Sequence, residues 1–277
     1  MTLDTERSTD DLTALRLAVE EHRFWYHVLE LAPGIVTPGW FDLRPIADSL
    51  PWPDVRGKRC LDVGTYDGFL AFELERRDAA EVVGTDISDP SGWDLPAPRR
   101  RHAEQVIALM AGEKTGGGFE IARRALGSSV ERLEISIYDL SPEEVGTFDV
   151  VVCGSLLLHL RDPVRGLEAI RSVCSGRFLS SETIRPGLGL LHRRRPLAEL
   201  RGGEKGQWWI PNVAGHRRML TAAGFEVEAS SGPYAIPFGP GHPATSNPTR
   251  LLRENALARL MTGRMGVPHN ALLAKPV

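Results

Sequence analysis

The chain has 277 residues, enough for one large domain with additions, and its 42% hydrophobic and 25% charged residues are typical of a globular protein. The net charge of −3 at pH 7 provides no overall attraction to nucleic acid, although it does not exclude local basic patches. No stretch approaches eighteen apolar residues, so the sequence predicts no membrane span, and residues 1–11 are too polar for a signal peptide.

The three cysteines, Cys60, Cys153 and Cys174, are scattered along the chain, and two of them lie inside apolar runs. This usage argues against disulfides and against a zinc site. We therefore expect buried cysteines, no bound metal and a reducing compartment, the cytoplasm.

The first fifty residues precede the first long apolar run and predict a separate N-terminal element. A helix is expected over residues 10–26, followed by a loop that begins at Pro33-Gly34. We expect residues 1–50 to form a helical cap, residues 51–240 to form the main domain and residues 241–277 to form a helical tail.

The most informative segment of the main domain joins a strand, a turn and a helix. An apolar run over residues 59–63 ends at Gly64 and predicts the buried first strand of a parallel sheet. Gly64 and Gly68 lack the Cβ atoms that would keep a ligand away from the backbone of the turn. Residues 69–77 then predict a helix, and residues 82–86 predict a second strand.

The acid that ends this second strand, Asp86, is placed to accept two hydroxyl hydrogen bonds from a ribose lying across the turn. The dinucleotide pattern G-x-G-x-x-G would require glycines where Tyr66 and Phe69 stand. A phosphate loop would require Lys-Ser or Lys-Thr after Gly68. The remaining pattern, D-x-G-x-x-x-G, favours an adenosyl ligand over a dinucleotide or a nucleoside triphosphate.

Strands and helices alternate through the rest of the chain. The predicted elements are helices over residues 101–111 and 118–126, a strand over 130–137, a strand over 148–153, a helix over 163–174, a strand over 177–182, a helix over 212–223 and a strand over 225–229. Such alternation predicts an α/β fold with a parallel sheet.

Three segments together resemble one enzyme family. Residues 62–68 resemble motif I of the class I S-adenosylmethionine-dependent methyltransferases, although these enzymes usually carry a third glycine where Tyr66 stands. Residues 147–154 resemble their fourth strand, and residues 157–163 resemble the turn and helix start that follow it. The resemblance implies a Rossmann-like, doubly wound, mostly parallel seven-stranded sheet with an N-terminal helical cap and helical insertions. It also implies that the cofactor is S-adenosylmethionine.

The resemblance assigns cofactor contacts to the carboxyl ends of the strands, where open α/β sheets bind their ligands. The glycine turn would surround the amino-acid part and the ribose, the end of the third strand would hold the adenine, and the end of the fourth would lie beside the methionine portion. The expected cofactor-binding residues are Asp62, Gly64, Thr65, Tyr66, Gly68, Asp86, Ile87, Ser136, Ile137, Tyr138, Cys153 and Gly154.

Transfer of a methyl group to a hydroxyl or a protonated amine benefits from a base. His159 is the first candidate because it follows the fourth strand and because imidazole titrates near neutral pH. The alternative is that His159 only orders its loop. His27 is a second candidate, and Glu182 and His192 are weaker ones.

A narrower resemblance involves aromatic motifs outside the sheet. The motifs are W-Y-H at residues 25–27, T-P-G-W-F-D at 37–42, W-W-I-P-N at 208–212 and A-A-G-F at 222–225. They resemble the methyltransferase branch related to tRNA wobble-uridine carboxymethyltransferases. Members of that branch that act on tRNA use a carboxylated donor and place a tyrosine where this chain has Leu158, so we expect ordinary S-adenosylmethionine here.

Three functions remain open from the sequence. The leading hypothesis is methyl transfer to an oxygen or nitrogen of a small molecule, such as a secondary metabolite, by a monomer or homodimer. A tRNA-modifying transferase is the alternative, and the basic runs at residues 99–102, 192–195 and 216–218 leave it open. A non-catalytic nucleotide-binding regulatory module is the third. The aromatic motifs either line an acceptor pocket or pack the N-terminal element onto the core.

Overall fold

The computed structural model describes residues 8–100, 115–202, 206–243, 256 and 259–277. The helix predicted over residues 101–111 lies outside these residues. Within them, no helix is both long enough and apolar enough to cross a membrane. The three cysteines are buried and free.

The described elements alternate as expected. The helices are α1 (Thr9–Glu21), α2 (Phe69–Arg76), α3 (Ala97–Arg100), α4 (Gly117–Leu126), α5 (Pro142–Val145), α6 (Pro163–Val173), α7 (Pro186–Leu191) and α8 (Val213–Ala222). The strands are β1 (Glu30–Ala32), β2 (Ile35–Val36), β3 (Arg59–Val63), β4 (Glu81–Asp86), β5 (Glu131–Glu134), β6 (Phe148–Gly154), β7 (Cys174–Thr183), β8 (Ala198–Leu200), β9 (Trp209–Pro211), β10 (Phe225–Ile236) and β11 (Val267–Pro276).

A seven-stranded sheet forms the centre of the protein, in the order β10-β11-β7-β6-β3-β4-β5. Strands β5, β4, β3, β6 and β7 run parallel, whereas β11 pairs antiparallel with both β7 and β10. Buried apolar clusters cover both faces of the sheet, which explains why β3 and β6 are almost continuously apolar. The predicted Rossmann-like, mostly parallel, seven-stranded fold is confirmed.

The prediction of a helical tail over residues 241–277 is wrong for its last part, Val267–Pro276, which is a strand. Residues 259–262 are helical, but β11 then lies inside the sheet, with Ala271, Leu272 and Ala274 fully buried. A short apolar run of this kind does not distinguish a strand from a buried helix by its periodicity. Pairing with β7 and β10, which are distant in sequence, makes this segment a strand. The main sheet therefore extends beyond residue 240.

Two other elements are shorter than predicted. The third strand ends at Glu134 rather than at residue 137, because the Ser136 side chain accepts a hydrogen bond from the Tyr138 N–H and starts a 3₁₀ turn, Ile137–Asp139. Helix α1 ends at Glu21 rather than at residue 26. The residues that follow α1 instead run in extended form across the glycine turn.

This crossing is fixed by the Asp67 side chain. Its Oδ2 accepts hydrogen bonds from the backbone N–H of Tyr26 at 2.6 Å and from that of His27 at 3.0 Å. Asp67 is 2% exposed, and burial raises the pKa of its carboxyl to about 7. A backbone N–H without a partner in such a place costs free energy. Asp67 therefore ties the N-terminal segment to the turn between β3 and α2.

Replacement of this carboxyl tests the tie. We expect Asp67→Ala to lower the free energy of unfolding by roughly 2–5 kcal/mol, because it leaves two buried N–H groups unpaired. Asp67→Asn keeps one acceptor oxygen and should lose clearly less. Urea unfolding gives both values, and hydrogen exchange should accelerate at the Tyr26 and His27 amides in the alanine variant. Equal stability of the two variants would contradict the assignment.

Candidate active site

A large cavity opens at the carboxyl ends of β3, β4 and β6, which is where open α/β sheets bind their ligands. Six parts of the chain line it: the N-terminal segment, the glycine turn, the end of β4 with the segment after it, the residues after β5, the turn after β6 and Gly206. The lining residues are Tyr26, His27, Val63, Gly64, Tyr66, Thr85, Asp86, Ile87, Gly92, Trp93, Asp94, Leu95, Ile135, Ser136, Ile137, Tyr138, Gly154, Ser155, Leu156, His159, Leu160 and Gly206.

The glycine turn has the backbone that the sequence implied. Gly64 has a φ of +77°, and a Cβ at this position would meet the Leu156 side chain at 2.9 Å. Tyr66 also lies in the left-handed region, with a φ of +48°. A glycine at Tyr66 would adopt this conformation without strain, which explains why the resembling family favours glycine there. In this chain the tyrosine ring instead packs against Tyr26 and Phe24.

Asp86 lies at the end of β4 with its carboxylate oriented by the backbone. Its Oδ2 accepts a hydrogen bond from the Tyr66 N–H at 2.7 Å, and its Oδ1 accepts one from the Ile87 N–H, also at 2.7 Å. Each oxygen keeps a further lone pair, and Asp86 lines the large cavity. Burial raises the pKa of this carboxyl. The carboxylate can therefore accept two hydroxyl donors, as a ribose would present them.

The residues expected to hold the adenine line one cavity. Ile87, Ser136, Ile137 and Tyr138 all line the cavity. The Tyr138 hydroxyl donates to Asp94 Oδ2 at 3.1 Å and accepts from the Asp162 N–H at 3.1 Å, which holds the ring in place. The wall thus combines apolar surface with a fixed aromatic ring.

Other predicted cofactor residues lie behind the cavity. Asp62 and Thr65 are each 1% exposed, Cys153 belongs to the buried core, and Gly68 faces Phe72. None of these four lines the cavity. Side chains alternate along a strand, so Val63 and Gly154 face the cavity while their neighbours Asp62 and Cys153 do not.

Two of the candidate bases face the cavity. His159 Nδ1 lies 3.0 Å from the Gly206 carbonyl oxygen, so Nδ1 carries the proton and donates, and Nε2 keeps its lone pair. Burial lowers the pKa of His159. His27 also lines the cavity, and burial lowers its pKa to about 3. Both rings are therefore neutral at pH 7.

The weaker candidates lie elsewhere. Glu182 is buried behind the cavity wall, and His192 is exposed at the surface, so neither lines the cavity.

Some residues of the aromatic motifs line the cavity, and others pack segments of the chain together. Of the aromatic residues in these motifs, Tyr26 lines the large cavity, whereas Trp25 is buried in the core and donates from Nε1 to the Val19 carbonyl. Trp208 and Trp209 donate from their ring nitrogens to the backbone carbonyls of Asp94 and Arg161. Most of this aromatic surface therefore packs chain segments together.

Sequence reasoning missed several lining residues. Trp93, Asp94 and Leu95 lie in the segment after β4, where no periodic pattern marked them. Ser155 directly follows the fourth strand, so the strand-end rule applied one residue further would have included it.

Ser155 has an unusual environment. It has a φ of +54°, and its hydroxyl lies 2.8 Å from His269 Nε2. His269 Nδ1 lies 2.9 Å from the Val267 carbonyl oxygen, so Nδ1 carries the proton and Nε2 accepts. The Thr183 hydroxyl also lies 3.1 Å from His269 Nε2, so the Ser155 and Thr183 hydroxyls compete for this acceptor, and the Ser155 side chain also has a hydrogen bond with Tyr26. Strained residues of this kind cluster at functional sites.

The architecture agrees with solved structures. The 4+2 cyclase SpnF has a TM-score of 0.52 to this protein with 18% identity, and the match covers 96% of this chain and 93% of that one. This likeness shows a shared fold.

Curated relatives match over part of the chain. A ubiquinone biosynthesis O-methyltransferase of Neisseria meningitidis is 34% identical over 116 residues, which cover 42% of this chain and 39% of the relative. A protein of the same name from Acinetobacter baumannii is 28% identical over 147 residues, which cover 48% of this chain and 52% of the relative. The chain thus spans about half the length, or less, of these two relatives.

The sequence model of one domain family matches most of the protein. It is the model of the methyltransferase domain, and it covers residues 42–230, from the N-terminal segment through the glycine turn into β10. The chain therefore belongs to the methyltransferase domain family, in the class I, S-adenosylmethionine-dependent group that its glycine turn and strand order indicate.

Proposed function

We propose that this protein transfers a methyl group from S-adenosylmethionine to an oxygen or nitrogen of a small molecule. One observation carries the proposal: a single cavity joins the oriented carboxylate of Asp86 to the ring of His159. The first group suits a ribose, and the second suits removal of a proton from an acceptor. The class I fold supplies the frame for both.

Residues on the described elements would hold the cofactor. Asp86 would accept from the ribose hydroxyls, Gly64 would let the ligand approach the backbone, and Tyr138 would help to enclose the adenine. The hydroxyl oxygen of Ser155, which lines the cavity, offers an acceptor for a cationic group. When bound, S-adenosylmethionine supplies an electrophilic methyl group on a sulfonium.

His159 is proposed as the base. Its Nδ1 donates to the Gly206 carbonyl, which fixes the ring and leaves Nε2 as the proton acceptor. The lowered pKa keeps the ring neutral at physiological pH, the form that a base requires. The apolar side chains of Leu156 and Leu160 line the same cavity and would exclude water from the acceptor.

Oxygen is the favoured acceptor atom because the named curated relatives are O-methyltransferases. The narrower resemblance to the tRNA-modifying branch gains no support from those relatives. Leu158, the position that suggested an uncarboxylated donor, is buried and does not line the large cavity. We retain ordinary S-adenosylmethionine as the proposed donor because the named curated relatives are O-methyltransferases.

The ribose assignment predicts a loss of affinity. Asp86→Ala should weaken binding of S-adenosylhomocysteine by about 10²-fold in calorimetric titration, because it removes an acceptor of two hydrogen bonds. Asp86→Asn should be intermediate, since it keeps one oxygen. Glu143→Ala, an exposed acid elsewhere, is the matched control. Unchanged affinity in a folded Asp86→Ala protein, or tight binding of NAD in place of S-adenosylhomocysteine, would refute the assignment.

The base assignment predicts a loss of rate. With the acceptor identified by labelled methyl transfer in a native extract, His159→Ala should lower kcat by 10²- to 10⁴-fold while leaving S-adenosylhomocysteine affinity within about threefold. In the unsubstituted enzyme, kcat should rise on the acid side of neutrality through a pKa below 6.5, because only the neutral ring accepts a proton. His192→Ala should behave like the unsubstituted enzyme. A kcat that survives His159→Ala would leave this residue a loop-ordering role only.

A further inference from the structure

Several buried side chains outside the large cavity have a polar atom without a hydrogen-bond partner among the described residues. Two of these atoms are Oε2 of Glu182 and Nδ1 of His216. Glu182 is 1% exposed and His216 is fully buried. Both residues line one small cavity of about 10 Å³, beside Leu157, Leu158, Trp209, Pro211 and Met219.

The other oxygen of Glu182 is fully used. Its Oε1 accepts hydrogen bonds from the backbone N–H of Leu156 and of Leu157, both at 3.2 Å. These residues open the 3₁₀ turn Leu157–His159. Leu156 is a wall of the large cavity, and the turn ends at His159. Glu182 therefore holds the segment that presents the proposed base.

The other nitrogen of His216 is also used, since Nε2 lies 2.9 Å from the Ser180 hydroxyl. Buried polar groups without a direct partner are commonly satisfied by an internal water. A space of about 10 Å³ is close to what the centre of one water molecule needs. A protonated Glu182 can donate to such a water, and that water can donate to Nδ1 of a neutral imidazole.

We propose that Glu182 is a positioning residue for His159, and that its second oxygen is joined by hydrogen bonds through one water in the small cavity to Nδ1 of His216. The proposal rests on the proposed function, because the group that Glu182 positions is the base of that reaction. In this proposal Glu182, a weaker candidate base from the sequence, supports the turn that carries the base and does not itself accept the proton.

The surrounding groups agree with a neutral carboxyl. Burial raises the pKa of Glu182 to about 8 and lowers that of His216 to about 3. The other titratable groups that face this pair are Cys153, Tyr26 and Tyr234 around Glu182, and His269 and Arg217 around His216. The pKa values of Cys153, Tyr26 and Tyr234 are raised and that of His269 is lowered to about 4, so all four are neutral at pH 7.

The sign of the pH effect follows from the raised pKa. Because the folded protein binds this proton more tightly than the unfolded chain, the contribution of Glu182 to stability is fully present below its ordinary pKa of 4.5 and is lost as the pH rises through about 8. Ionisation also places a negative charge against the apolar walls formed by Leu157 and Leu158. We expect this charge to draw water into the small cavity and to displace the turn, so kcat falls above pH 8.

The test compares Glu182→Gln with Glu182→Ala. The glutamine keeps an acceptor for the Leu156 and Leu157 N–H groups and cannot ionise, so kcat should stay within about threefold of the unsubstituted enzyme at pH 7 and should not fall above pH 8. The alanine variant should lose at least about tenfold in kcat, with S-adenosylhomocysteine affinity within about threefold. Hydrogen exchange at the Leu156 and Leu157 amides should accelerate in the alanine variant alone. Ser181→Ala, next on the same strand, is the matched control.

Two measurements keep the proposal separate from the proposed function. If neither the unsubstituted protein nor any variant transfers a methyl group, two measurements still test the positioning. They are hydrogen exchange and the difference in free energy of unfolding between the unsubstituted protein and Glu182→Gln from pH 4.5 to 8. If Glu182→Ala does not fold, the pH profile of Glu182→Gln decides. A fall in kcat above pH 8 that persists in Glu182→Gln, or unchanged kcat and exchange in Glu182→Ala, would overturn the proposal.

Discussion

The contact between the Asp67 carboxyl and the N–H groups of Tyr26 and His27 determines what the active site contains. This contact holds the segment after α1 beside the glycine turn, where both Tyr26 and His27 line the large cavity. One buried acceptor thus connects an N-terminal segment to the strand ends of the sheet.

Other carboxyl groups near the strand ends resemble Asp67 in accepting hydrogen bonds from the backbone or in having a raised pKa. Asp62, Asp67, Asp86 and Glu182 all have raised pKa values because of burial, and Asp67, Asp86 and Glu182 accept backbone N–H groups. Burial of an acid without a basic partner lowers stability and is concentrated at functional sites. Three of these acids each order a segment: Asp67 the N-terminal segment, Asp86 the glycine turn and Glu182 the turn that ends at His159.

Backbone strain marks the same region. The non-glycine residues with positive φ include Tyr66, three residues after the end of β3, and Ser155, directly after the end of β6. Each has a contact that offsets the strain, since the Tyr66 ring packs on Tyr26 and the Ser155 hydroxyl lies 2.8 Å from His269 Nε2. The second contact joins β11, near the C-terminus, to the site. The last strand therefore supports a residue of the cavity wall, Ser155, and also belongs to the sheet.

The sequence alone determined the local features that depend on neighbouring residues. The apolar runs of β3, β4 and β6, the glycine turn, the acid at Asp86 and the Asn212 cap of α8 were all predictable, because each follows from spacing or from short-range hydrogen bonds. The family resemblance then supplied the cofactor class. Only the tertiary structure decided that β11 is a strand, that Asp62 and Cys153 lie behind the cavity, and that Ser155, Asp94 and Glu182 lie at or behind its wall. These outcomes depend on strand pairing and burial between segments far apart in the chain. A linear sequence pattern does not show which distant residues pack against a given side chain.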